Sequence, residues 1–444
     1  MGEVAPLLDF RRRKAPAWDV DSTDIHKLQV ILKTIERCNI NCSYCYYFNG
    51  GDDSYKSRPA VISKDVVEQV AAFLAHGVTD LRIQVIEAVF HGGEPLMQSR
   101  SRFDHMCSSL RSAFSGLDAE LRLGIQTNGT LLDEAWCELL ARHRVTVGIS
   151  IDGSRLVNDR QRVDHKGRGT YDDVVKGIRC LQSYAARHGV SFGLGSLTVV
   201  DPRLDCGEIY RHLAGDLGFD NVSFLLPDCS HDSFDEAGAT PAEFGQALTD
   251  IFDAWVQNPS AEVRNISTFL DFFRAGPKAD QAQGAEGRNV SGRERSYLGN
   301  QIIVINSDGC LSIDDSLMPA LRWWQRTPKQ AISQVSLREW LGNAVFAELQ
   351  AGERNLPDER QACAWRGGPC QGGDLENRFS SALGFDAPSV FCEGMSKYYE
   401  HVAAYLVSNG YPAQKIKEKL MRQSFLGAAW EIHQHGGLID EEDF

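Results

Sequence analysis

From about residue 28 to residue 226 the chain repeats one rhythm: a short β-branched or apolar run, a turn, then a helix-length segment with apolar residues on one face. That alternation is the mark of βαβ units. The apolar runs predict strands over 28–35, 82–91, 121–127, 145–151, 191–199 and 221–226. The amphipathic stretches predict helices over 63–76, 100–114, 133–143, 171–188 and 205–217, with Ser63 and Asp133 as N-caps. Parallel strands need crossover helices, so six such units form an open twisted sheet or a partial barrel. In both, ligands gather at the strand C-termini.

Past residue 226 the rhythm breaks. A further helix is predicted over 240–258, and 276–292 is rich in Gly, Gln, Ala and charge, the composition of a flexible loop. A helical tail follows over 394–409. These shifts divide the chain into an N-terminal extension (1–27), an α/β unit (28–235), a helical linker with a flexible loop (236–294) and a C-terminal α+β unit ending in helices (295–444).

Composition narrows the class. The 444 residues are 43% hydrophobic and 24% charged, as in ordinary globular proteins. No apolar run approaches the ~20 residues of a membrane helix, and Arg11 to Lys14 lead into no apolar signal region. The expectation is a cytoplasmic protein that does not meet a membrane. A formal charge of -14 argues against a nucleic-acid enzyme, which needs a concentrated Lys/Arg surface. The 12 cysteines belong to a chain too long for a small disulfide scaffold, so clustered ones point to metal binding or catalysis.

Three of them, Cys38, Cys42 and Cys45, fall directly after the first predicted strand, in a loop capping the sheet. Soft thiolates suit an iron-sulfur cluster or zinc. A closed structural site wants four ligands, so three within eight residues leave one metal position open, as a catalytic site requires; a zinc-stabilised loop is the bland alternative. The second strand ends in His91-Gly92-Gly93-Glu94-Pro95, where paired glycines admit close backbone approach to a ligand and the carboxylate can hold an ammonium group. Thr127 and Asn128 end the third strand; Ser150 and Asp152 end the fourth. Such small polar groups bind hydroxyls and an α-carboxylate. Asp159 and Arg162 downstream supply the cation a carboxylate needs, most favourably as a bidentate pair.

The CxxxCxxC triad, the Gly-Gly-Glu-Pro motif, the Gln-Thr-Asn-Gly segment and the Ser-x-Asp-Gly strand end together resemble the radical S-adenosylmethionine (SAM) superfamily. The resemblance implies a partial (β/α)6 barrel. It implies that Cys38, Cys42 and Cys45 hold three irons of a 4Fe-4S cluster while SAM chelates the fourth. It assigns Gly92, Gly93 and Glu94 to the methionine amine, Ser150, Asp152 and Arg162 to ribose or carboxylate, and Tyr44 to the adenine. His91 is a further cofactor contact or a satisfied structural histidine. An electron from an external donor such as ferredoxin or flavodoxin would then split SAM into methionine and a 5′-deoxyadenosyl radical.

The C-terminal cysteines Cys310, Cys363, Cys370 and Cys392 lie in a pattern similar to the SPASM/twitch-like auxiliary domain of radical peptide maturases, most of all those that build cyclophanes. The fuller pattern has about seven cysteines, so one auxiliary iron-sulfur cluster is expected, with Cys310 as its fourth ligand. The partner implied is a ribosomally made precursor peptide, crosslinked from Cβ to an aromatic ring. Thioether formation, epimerisation with a thiol donor such as Cys229 or Cys310, and a non-catalytic iron-sulfur scaffold are the alternatives. Candidate bases are Asp232, Asp314 and Asp315, with Asp228 nearby. Trp323, Trp324 and Trp365 line a peptide groove or fill the core. Too few residues precede Cys38 for a separate leader-binding domain, so the leader is expected on the barrel, on the auxiliary domain or on another protein. Cys107, Cys137, Cys180, Cys206 and Cys229 read as small core residues.

Overall fold

The structure, a computed structural model, describes residues 25, 27–51, 53–274, 302–321, 324, 327–354, 363–365, 369–370 and 372–424. The extension before residue 25, the loop at 276–292 and Trp323 lie outside the described residues.

Nine strands form one sheet: β1 (Lys27–Ile35), β2 (Val85–Gly92), β3 (Glu120–Thr127), β4 (Val145–Ser150), β5 (Gly195–Val199), β6 (Asn221–Leu225), β7 (Glu262–Val263), β8 (Ile302–Ile305) and β9 (Leu311–Ser312). Their order across the sheet is β7-β6-β5-β4-β3-β2-β1-β8-β9. Every neighbouring pair is parallel except β8 and β9. The first six strands are those the apolar runs predict, wound in chain order with a helix after each of the first five.

Six strands underestimate the sheet. β7 extends one edge, and β8 pairs with β1 through Gln29↔Ile302 to Leu32↔Ile305, so the C-terminal part of the chain continues the barrel sheet. The sequence signal for β8 was four apolar residues with no period, which a buried strand and a buried helix segment share.

Local chemistry explains the element ends. Ser63 accepts from Val66 N and starts Lys64–Leu81; Asp133 accepts from Trp136 N and starts Glu134–Arg142. In β1 the residues Leu28, Val30 and Leu32 face the helices and are fully buried. Its opposite face carries Lys33, which is also buried, at 1% exposure. A lysine on a strand covered on both sides requires a partner inside the barrel.

The core is continuous from the barrel into the C-terminal helices. Helix Cys392–Ser408 docks on helix Pro241–Gln257 where two glycines cross. A Cβ on Gly394 would lie 1.9 Å from Pro241 O, and one on Gly245 would lie 2.3 Å from Gly394 O. Backbone cannot yield to such a clash as a side-chain tip can. Gly394→Ala is therefore expected to cost about 1–3 kcal/mol, whereas Gly215→Ala, with nothing within 4 Å of its added methyl, should stay within about 0.5 kcal/mol. Thermal unfolding of the two variants beside the parent checks this.

Candidate active site

The cysteine loop is clamped between two backbones. On one side Gly93 N donates to Ile35 O at 2.7 Å and Glu94 N to Arg37 O at 2.9 Å. On the other, Asn41 N donates to Val163 O at 2.7 Å and Ser43 N to Gln161 O at 3.1 Å, with an antiparallel bridge between Ile40 and Asp164. A Cβ on Gly92 would sit 2.2 Å from Ile35 O, and one on Gly93 1.9 Å from Arg37 O. The paired glycines thus seat the cysteine loop on the end of β2. Close approach to a ligand, the reason expected for them, is not what the packing requires.

Cys38, Cys42 and Cys45 are free thiols. Burial pushes Cys38 up to about 12, with Glu94, Cys42 and Cys45 adding to the rise. Burial also raises Cys42, which Arg162 partly offsets. Three soft donors that repel one another as thiolates fit a cationic iron-sulfur group, which removes that repulsion. Among the described residues no three Cys, His, Asp or Glu side chains converge tightly enough to hold a single metal ion. Asn128 Nδ2 lies 3.8 Å from Cys38 Sγ and donates to Asn39 at 2.9 Å, tying the end of β3 to the loop.

Glu94 is fully buried. Its carboxylate accepts from Leu96 N at 2.9 Å, Thr127 Oγ1 at 2.6 Å and Asn128 N at 2.7 Å, so it knits β2 to β3 as well as facing the loop. Burial still raises it above the usual carboxylate range. Beyond it, Tyr44 OH donates to Asp152 at 2.8 Å and accepts from Arg162 Nη1, while Arg162 and Asp152 lie 3.9 Å apart. The fold thus unites three residues predicted separately. Arg162 Nε is buried and without a partner, an orphaned donor of the kind a ligand carboxylate satisfies. Asp159 does not pair with Arg162 as expected; it caps the next helix by accepting from Thr170 N and Tyr171 N, each at 2.9 Å. Ser150 Oγ accepts from Gln126 Nε2 at 2.8 Å.

A second group surrounds Lys33. Its Nζ forms an ion pair with Asp315 and lies 3.2 Å from His91 Nδ1 and 3.3 Å from Tyr46 OH. Tyr46 OH also donates to Asp315 Oδ2. Burial and the Lys33 charge pull His91 down to about 3, so it stays neutral. It is a satisfied partner of Lys33. Despite burial, Lys33 holds Asp315 down to about 2. Burial and the charge of Asp315 push Asp314 up to about 6, and burial with Asp315, Asp314 and Asp374 takes Asp228 to about 8. Asp374 and Glu376 complete the group, both raised first by burial. Asp374 is exposed and Glu376 half-buried.

Sequence reasoning missed Lys33, Tyr46, Asp374 and Glu376. The available signal was the lysine itself, directly after the apolar run Val30 to Leu32 of the first strand. Asp232 does not join this group: it is exposed and accepts from Ser381 N at 3.0 Å, bracing a loop.

Of the C-terminal cysteines, burial raises Cys370 to about 11, with Cys392 and Cys363 adding to the rise, which puts those three together. Cys310 bridges Ala331 in the backbone; burial raises its thiol, with Asp308 adding to the rise and Lys329 and Arg58 offsetting it. Trp365 packs on Phe269 and Tyr399, and Trp324 donates to Ser312 Oγ at 2.8 Å and packs on Trp340; both are interior residues.

Over 426 residues the chain is 25% identical to a serine-type anaerobic sulfatase-maturating enzyme of Bacteroides thetaiotaomicron, covering 89% of this chain and 92% of that one. It is 23% identical over 380 residues to a cysteine-type anaerobic sulfatase-maturating enzyme of Clostridium perfringens, covering 84% and 95%. The solved structure of native anSMEcpe with bound AdoMet matches at a TM-score of 0.68 and 20% identity, over 86% of this chain and 98% of that one, which shows a common fold.

Loss of Arg162 should separate SAM binding from cluster assembly. Arg162→Met is expected to weaken SAM binding at least about tenfold while iron content per chain stays at the parental level, as measured by equilibrium dialysis and iron analysis. Residues 32–201 match the Radical SAM superfamily; that span runs from within β1 to just past β5 and holds the cysteine loop, Glu94 and the Tyr44, Asp152 and Arg162 group, and the chain is an enzyme that works with a 4Fe-4S cluster and S-adenosylmethionine.

Proposed function

We propose that this enzyme is a peptide maturase that removes a side-chain hydrogen from a ribosomally made precursor and closes a crosslink from that carbon to an aromatic ring. The observation that carries the reading is the Lys33–Asp315 ion pair beside Asp314. Tyr46, next in sequence to Cys45, donates to Asp315, so the acid pair stands beside the loop where the radical would arise. The bound cofactors would supply a primary carbon radical able to take hydrogen from an unactivated carbon.

Closing a crosslink removes two hydrogens from the peptide. One leaves as an atom to the radical; the other leaves the ring as a proton and an electron. The Asp314 and Asp315 pair takes the proton, and its apparent values of about 6 and about 2 belong to the pair. Lys33 and Tyr46 hold Asp315 in place. Cys363, Cys370 and Cys392 would hold an auxiliary cluster to receive the electron.

The relatives favour a second reading. Their names describe maturation of sulfatases at serine or cysteine, and one anSMEcpe structure holds AdoMet with the Cp18Cys peptide. By this reading the same hydrogen abstraction on a Ser or Cys side chain leads to an aldehyde.

Anaerobic incubation with the peptide encoded beside this chain, followed by mass spectrometry, tests both. Loss of two hydrogens with no reaction toward a hydrazine supports the crosslink; a hydrazine-reactive product supports oxidation; an unmodified peptide and no 5′-deoxyadenosine sink the maturase reading altogether.

The pH dependence follows from the acid pair. A base must be ionised to accept a proton, so turnover should fall below about pH 6, where Asp314 protonates. Asp315→Asn removes the negative charge that raises Asp314 and leaves Lys33 unbalanced. Both effects lower Asp314, so the acid limb of the turnover profile should move to lower pH.

A further inference from the structure

The segment that clamps the outer side of the cysteine loop has a second surface. After helix Arg155–Gln161 the chain runs along the loop through Val163 and Asp164, then turns back, with Asp164 N donating to Arg168 O at 2.8 Å and Val163 bridging Gly169. The Asp164 carboxylate caps the turn, accepting from Lys166 N at 2.8 Å, Arg168 N at 2.9 Å and Arg168 Nε at 2.7 Å. His165 Nε2 lies 2.9 Å from Cys38 O. The turn is therefore rigidly fixed to a cluster ligand, yet His165 to Gly169 are all exposed.

Residues 155–168 hold five Lys or Arg against two Asp, in a chain whose formal charge is -14. Arg162 points inward to Asp152; Arg155 and Arg168 pair with Asp172 and Asp164. Arg160 and Lys166 are exposed and form no ion pair within 4.0 Å among the described residues, though Arg160 is near enough to help Arg203 lower Asp201. One helical turn before Arg160 lies Leu156, 83% exposed. A local cationic surface with an apolar contact, bonded to the loop around the metal, contrasts with the acidic remainder.

We propose that this turn, with Arg160 and Lys166 as its exposed cations and Leu156 beside them, is the docking surface for a small acidic one-electron carrier protein of the flavodoxin or ferredoxin class. The proposal rests on the radical SAM chemistry of the cysteine loop. The reduced carrier gives up one electron and is oxidised by one; the cluster gains that electron. Charge complementarity selects the carrier and speeds its encounter, and the loop's outer face shortens the electron's path.

Calorimetric titration of the reconstituted holoenzyme with a purified acidic flavodoxin tests it. Binding should weaken steeply with added salt, and the double variant R160E/K166E should bind at least about tenfold more weakly than the parent at low salt. Lys166→Gln should fall between them, and Lys397→Glu, on helix Cys392–Ser408, should bind as the parent does. With dithionite as reductant the double variant should form 5′-deoxyadenosine at the parental rate, and with flavodoxin it should lag. Equal flavodoxin affinity for parent and double variant overturns the docking surface. If dithionite yields no 5′-deoxyadenosine from any of the proteins, the radical SAM reading fails instead, and the titration still decides the surface.

Discussion

The contact between the Gly92-Gly93 backbone and the carbonyls of Ile35 and Arg37 sets the position of nearly everything else in the site. Side chains at 92 and 93 would push the cysteine loop off the end of β2. With the glycines in place, Glu94 enters the barrel fully buried, where its carboxylate collects the hydroxyl of Thr127 and the backbone of Asn128. Asn128 in turn reaches Cys38 and Asn39. One close backbone approach thus aligns the C-terminal ends of three consecutive strands around three thiols.

Buried charge is the second organising force, and it follows from the first. Burial leaves little water around Lys33, Arg162, Glu94 and Asp315. Each must be paired or change its protonation. Lys33 takes Asp315 and so keeps one carboxylate ionised; burial and that fixed negative charge then lift Asp314 to about 6 and Asp228 to about 8. Arg162 is matched by Asp152 and Tyr44 yet keeps one donor unsatisfied. Tyr44 thus belongs to the Arg162–Asp152 group and Tyr46 to the Lys33–Asp315 group.

The C-terminal segment contributes more than a cluster module would. Asp314 and Asp315 follow directly on β9, and β9 is held to β1 through β8. The acid pair therefore rides on the same sheet as Lys33, which fixes its distance from the cysteine loop through backbone hydrogen bonds. The glycine crossing between Gly245 and Gly394 presses the last long helix onto the barrel and makes one continuous core.

Local pattern alone determined the six central strands, the helices between them, the caps at Ser63 and Asp133, and the place of Cys38, Cys42 and Cys45 in one loop after the first strand. Each depends on residues adjacent in the chain, whose period, spacing and side-chain chemistry are visible without a fold. Tertiary structure decided the rest. Gly92 and Gly93 proved to accommodate a neighbouring loop, Asp159 to cap a helix, and Asp315 to find its partner in Lys33, 282 residues away. Such pairings are set by which strand lies beside which, and by the desolvation that makes a buried charge seek the nearest opposite one; neither leaves a mark in the order of the residues.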